Sequence, residues 1–168
     1  MRTFFAVILT FAVLAAGASA AEGGIPNRLN KAKVGEWVVL QDVSGEGRGE
    51  RTRVSVIKAT DDAVTIRREF LDDADAESKE HEINFDRYNK RLSDLEAKAK
   101  QISRERLTIK DKEFMVQAVS WDGEDPEDAE NRREFKIWVS SDLPIGGIAK
   151  IWSSDPNFPA SEVVDYGF

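Results

Sequence analysis

Few side chains in this sequence could carry chemistry beyond carboxylates and amines. His81 is the only histidine and there is no cysteine. A zinc site is normally built from several His or Cys ligands, so a chain with one of the former and none of the latter is poorly equipped for one. A Ser-His-Asp triad would also have to recruit His81. No Gly-X-Ser-X-Gly elbow is present, however, and Glu80-His81-Glu82 places the imidazole in an acidic run. The expected reading is an exposed strand histidine with no catalytic role.

Gly45-Glu46-Gly47-Arg48-Gly49 resembles an anion-cradling loop on the surface, with Arg48 and Arg51 as candidate cations. Such a loop works by leading into a helix start. Here the flanking pattern is strand-like on both sides, so a hairpin connection explains the glycines. Two acidic clusters, Asp72 to Glu77 and Asp122 to Asp128, are candidates for calcium, which takes six to eight oxygen ligands. Neither has the glycine and terminal Glu offsets of the helix-flanked calcium loop. Solvated hairpin tips are the competing explanation, and the second cluster is the stronger calcium candidate. The sequence implies no other cofactor. Two carboxylates could in principle hydrolyse a glycosidic bond, but 31 acidic residues offer too many pairs to single one out.

The four tryptophans, Trp37, Trp121, Trp138 and Trp152, are the most informative large side chains. Trp138 is out of phase with the apolar face Phe135-Ile137-Val139, and Trp152 is out of phase with Ala149 and Ile151. Both faces of that hairpin are therefore partly apolar. Either a helix packs over one face with the indoles filling the core, or the four rings line a pocket for an apolar ligand.

The elements that must position these residues are mainly strands. Period-two alternation marks segments centred on Trp37 to Val43, Thr52 to Ala59, Ala63 to Leu71, Phe114 to Trp121, Glu134 to Ser140 and Ile148 to Trp152. Shorter candidates are His81 to Phe85, Arg106 to Ile109 and Glu162 to Tyr166. Short, turn-rich connections force antiparallel neighbours and a meander. One stretch differs: Tyr88, Leu92, Leu95, Ala99 and Ile102 recur at helical spacing. Ser93-Asp94-Leu95-Glu96 has the form of a capping box, so the helix is expected to start at Ser93 or, capped by Asp86, a turn or two earlier. Asp94 with Lys98 and Glu96 with Lys100 give expected i,i+4 ion pairs. The predicted fold is mainly β (α+β): an antiparallel curved sheet or incomplete barrel of about seven to nine strands, with one amphipathic helix packed on it.

The most specific local pattern runs Trp138-Val139-Ser140 into Pro144-Ile145-Gly146-Gly147-Ile148-Ala149-Lys150. Gly146-Gly147 can supply the positive φ values of a two-residue hairpin turn. Together with Val34-Gly35-Glu36-Trp37-Val38, this pattern resembles small uncharacterised secreted proteins of bacteria. In outline these are similar to the curved-sheet-plus-helix proteins typified by periplasmic lipoprotein carriers. The resemblance implies an architecture and a habit of holding something greasy. It carries over no functional residue.

Residues 1–20 read as a secretory signal peptide: Arg2 near the start, an apolar run from Phe4 to Ala16, and Ala18-Ser19-Ala20 before the expected cut after Ala20. Gly23-Gly24 and Pro26 make residues 21–33 a flexible lead-in, and a single β-rich domain is expected over residues 34–168. Removing Arg2 from 24 basic side chains leaves 23 against 31 acidic ones, a mature net charge of −8. That excess disfavours nucleic acid and anionic lipid surfaces. Neither cysteines nor an Asn-X-Ser/Thr sequon occurs, which suits a bacterial periplasm or extracellular setting without stable membrane insertion. The expected function is noncatalytic binding of an apolar small molecule between sheet and helix, near Trp138 and Trp152. The alternatives are an envelope protein interaction or assembly module and, more remotely, a carboxylate-only hydrolase.

Overall fold

Alternating apolar and polar residues fix which side of each strand is buried, and the short turns fix how neighbours pair. The computed structural model describes residues 24–43, 49–123, 133–155, 158 and 160–168. Its strands are β1 (Trp37–Asp42), β2 (Arg51–Ala59), β3 (Ala63–Phe70), β4 (Lys79–Asn84), β5 (Gln101–Ile109), β6 (Lys112–Gly123), β7 (Arg133–Val139), β8 (Ile148–Ser153) and β9 (Ser161–Gly167). All nine belong to one antiparallel sheet in the order β4-β3-β2-β1-β9-β8-β7-β6-β5.

This order is two meanders joined through the first and last strands, which pair at the centre of the sheet. The edges, β4 and β5, are linked by α1 (Phe85–Lys98) and do not pair with each other. The sheet curls so far that Lys110, in the turn after β5, forms an ion pair with Asp165 of β9 at 2.5 Å. The curl gathers Val54, Val56, Val64 and Ile66 from one meander and Leu107, Ile109, Phe114, Val116 and Trp138 from the other into one inner core. An unclosed barrel with a packed helix is the architecture the alternation predicts.

On the outer face of the second meander lies a smaller core of Val119, Ile137 and Val139, covered by Leu92 of α1 and by Ile25. The register explains the two layers. Val119 stands opposite Ile137, and Ala118 opposite Trp138, so alternate residues of β6 and β7 serve opposite faces.

Three local features differ from the sequence reading. The helix is capped by Asn84, whose side chain accepts the Arg87 N–H at 3.2 Å, so Ser93 and Asp86 lie inside it. The helix ends at Lys98. Ile102 and Arg104 therefore belong to β5, and the ion pairs formed are Lys90 with Asp94 at 3.1 Å and Lys100 with Asp122 at 2.6 Å. Between β7 and β8 the chain makes a longer loop rather than a two-residue turn. Gly146 and Gly147 do take φ of 74° and 78°, as expected, and Ile145 joins them at 49°. Leu143 and Pro144 of this loop are fully buried, and Leu143 joins the inner core.

The ordered core also begins upstream of Val34. Ile25, Leu29 and Ala32 are buried, Leu29 at the start of a 3-10 turn (Leu29–Lys31), so residues 24–33 are packed against the domain rather than leading into it. Residues 1–20 lie outside the described residues. Among those described, no helix is long and apolar enough to cross a membrane.

Candidate functional site

The four tryptophans do not converge. Trp138 lies in the inner core, on the opposite side of β7 from the residues that α1 covers. Its indole Nε1 donates to Glu105 Oε2 at 2.7 Å, and the Lys136 and Lys150 ammonium groups stand 4.6 and 5.6 Å from the ring centre. Lys136 pairs with Glu105 at 2.9 Å and Lys150 with Glu162 at 3.0 Å. These are cross-strand neighbours by register, since Lys150 faces Trp138 and Glu162 faces Lys150. Burial pushes the Glu105 carboxyl up, but hydrogen bonds from Trp138, Lys136 and Ser103 and the Lys136 charge together hold it below its ordinary value. Trp138 is thus held by one hydrogen bond and two neighbouring cations.

Trp152 stands opposite Lys136 and is 37% exposed. Trp37 is far along the sheet on β1, where it lies against Gly167, and the Arg53 guanidinium stacks 4.6 Å over it. A Cβ on Gly167 would come within 2.4 Å of the Trp37 indole nitrogen, so that close approach needs glycine. Trp121 alone joins the layer between helix and sheet, stacked on Phe135 at 5.7 Å.

That outer layer is the place where a helix and a sheet face meet. The sheet contributes the buried aliphatic side chains Val119, Ile137 and Val139. The helix answers with Leu92, the one buried residue of its fourteen, and with half-buried Tyr88 and Leu95, and its C-cap Ala99 packs beside them. Tyr88 touches both cores and its hydroxyl is buried without a hydrogen-bond partner. Burial raises its pKa, so the phenol stays protonated and available as a donor. Sequence periodicity places Tyr88 and Leu92 on the inward stripe but cannot show that the phenol ends without a partner.

The remaining candidates are dispersed. His81 lies on the exposed edge strand β4. Arg51 is engaged by Asp72 at 2.6 Å, which holds that carboxyl below its usual range. Asp122 pairs with Lys100. Arg48, with most of the glycine-rich loop, and residues 124–128 of the second acidic cluster lie outside the described residues. Among those described, no group of three or more His, Cys, Asp or Glu could hold a metal ion. Among the described residues, two carboxylates have a displaced pKa, Asp72 lowered by its hydrogen bonds from Arg51 and Glu105 lowered, against its burial, by hydrogen bonds from Trp138 and Lys136, the reverse of what a general acid requires.

Comparison with known proteins gives no matching family model, no matching curated protein and no matching solved structure.

Proposed function

We propose that this chain is an exported, noncatalytic binding protein of the bacterial periplasm or cell exterior that takes an apolar ligand into the layer between α1 and the sheet. Export rests on residues 1–20. The observation that carries the binding reading is an imbalance across that layer. The sheet side is a buried aliphatic surface of Val119, Ile137 and Val139, whereas the helix covering it buries only Leu92 and leaves Tyr88 and Leu95 half-buried. A cover with one buried side chain opens at lower cost than the hydrogen-bonded sheet beneath it. The wall shifts accordingly from Trp138 and Trp152 to Leu92, Val119 and Trp121.

Trp121 supplies the test. Titration with palmitate or a detergent monomer below its micellar concentration should shift the tryptophan emission in the wild type but not in Trp121→Phe, and native mass spectrometry should show the added mass. Unchanged emission and unchanged mass across such a panel would remove the reading.

A second reading, an envelope interaction module, is favoured by β4. Lys79, Glu80, His81 and Glu82 are all exposed on this unpaired edge, and an edge strand can accept another strand. A silent ligand panel, together with one stoichiometric envelope partner whose binding depends on the β4 side chains, would decide for it.

A further inference from the structure

We propose that residues 24–33 form a displaceable strap, and that a carbonyl-headed aliphatic chain enters by replacing Ile25 and Leu29, with the Tyr88 hydroxyl donating to the carbonyl oxygen. This inference rests on the binding function proposed above and names its entrance and its ligand class.

The strap reaches both cores. Ile25 is buried beside Leu92 and Val119 in the outer layer, and Leu29 is buried in the inner core beside the loop that carries Leu143. Leu29 and Tyr88 meet over Gly146, whose bare backbone makes room for both. A Cβ built there would lie 2.9 Å from the Tyr88 hydroxyl and 3.9 Å from Leu29 Cδ1. An aliphatic group and an unpartnered donor thus sit side by side where the strap crosses the helix. Two branched aliphatic side chains four residues apart occupy the space that a flexible alkyl chain would fill.

The polar contacts of the docked strap are incomplete. Asn27 bonds to Asn89 of α1, and Arg28 pairs with Glu36 at 3.0 Å. Glu36 is almost fully buried, with its side chain only 3% exposed. Even so, Arg28 Nε and Glu36 Oε2 have no partners, and neither does the Tyr88 hydroxyl. Three of the five buried side-chain polar atoms without partners among the described residues therefore belong to the strap, its anchor or the helix it crosses. Each such atom costs the docked state free energy that a hydrogen-bonding ligand or solvent can restore. The apolar contacts that Ile25 and Leu29 give up are replaced in kind by the incoming chain. A carbonyl oxygen at Tyr88 then adds the hydrogen bond that the docked strap lacks.

The absence of cysteine makes a direct test available. In the full protein carrying Asn27→Cys and Asn89→Cys, the two thiols are bridged with a short bis-maleimide that contains a reducible disulfide. Binding of cis-parinaric acid is then followed by fluorescence, and circular dichroism confirms the fold in both states. The bridged form should bind at least about tenfold more weakly than the cleaved form, and cleavage should restore wild-type affinity. Tyr88→Phe should weaken binding of this carboxylate probe about tenfold or more, the loss of one hydrogen bond to a charged acceptor. Equal binding by bridged and cleaved forms would overturn the strap while leaving the proposed function standing. An unchanged affinity in Tyr88→Phe would overturn the polar anchor. Failure of the wild type to bind would remove the function and the strap together. Competition by palmitate marks the ligand as a free acid, competition by lysophosphatidylcholine marks it as an acyl lipid, and competition by neither would overturn the ligand class.

Discussion

Trp138 and Glu105 are joined across an intervening strand: the indole on β7 donates to the carboxylate on β5 at 2.7 Å, over β6. Ala118, opposite Trp138 on β6, is the small side chain on the strand between them. The same carboxylate takes Lys136, so one acid satisfies an indole and an ammonium group at once. Trp138→Phe keeps an aromatic ring but deletes the donor together with part of the buried indole. A hydrogen bond to a charged group contributes about 1.5–3 kcal/mol, so the unfolding free energy from urea titration should fall by at least about 1.5 kcal/mol, with a lower midpoint. A midpoint equal to that of the wild type would show that the indole N–H contributes nothing to the fold.

The same carboxylate predicts a pH dependence. Its pKa is lowered in the fold relative to about 4.3 for an unfolded Glu. A group lowered on folding stabilises the native state above its unfolded pKa, and that stabilisation is lost as pH falls through the folded value. Denaturant midpoints should therefore decline as the pH drops below about 5. Glu105→Gln should be less stable than the wild type at pH 7, with the gap closing on acidification. A gap that widens toward low pH would contradict the assigned ion pair.

Two glycines separate backbone strain from steric exclusion. Gly35 has φ of 96° with nothing within 4 Å of an added Cβ, whereas at Gly147, with φ of 78°, a Cβ would sit 2.2 Å from the Ser140 carbonyl oxygen. That carbonyl is backbone and cannot rotate away. Gly35→Ala should cost about 1–2 kcal/mol, the left-handed penalty alone. Gly147→Ala should cost more than about 3 kcal/mol, because the β7–β8 loop must also move. Equal melting temperatures for the two variants would refute the distinction.

Which parts of this molecule were readable in advance follows from what periodicity encodes. Alternation such as Thr52-Val54-Val56 against Arg53-Ser55 reports one buried face per strand, and all nine expected segments are strands. Trp138, out of phase with Ile137 and Val139, correctly signalled a β7 buried on both faces. Helix limits were harder to read. Ser93 to Glu96 has capping-box spacing, but Asn84 holds the cap because β4 ends there and turns the chain. The burial of Ile25, Leu29 and Ala32 is hidden in the sequence because Gly23-Gly24 and Pro26 read as loop punctuation. Ile25, Leu29 and Ala32 nonetheless recur at spacings of four and three, a short helical stripe that could have revealed it. The unpartnered Tyr88 hydroxyl could not have been read, since it depends on how the 140–147 loop folds over α1.

Leu92 anchors α1, so its removal should separate the helix from the sheet rather than melt both. Leu92→Ala deletes the buried helix side chain over Val119 and Val139, a change that costs about 2–5 kcal/mol in a packed site. The β6 and β7 amides are bonded to strands on both sides, whereas the helix is attached through its stripe and the strap. Hydrogen exchange should therefore find the amides of residues 85–98 opening at lower free energy than those of β6 and β7 in the wild type. In Leu92→Ala the helix amides should lose most of their remaining protection while the β6 amides change much less. Adding Ile25→Ala should give a non-additive result, because both side chains pack in one cluster and the second truncation widens a cavity already present. A uniform loss of protection across helix and sheet would instead mean that α1 and the barrel unfold as one unit, and the helix could not then act as a movable cover.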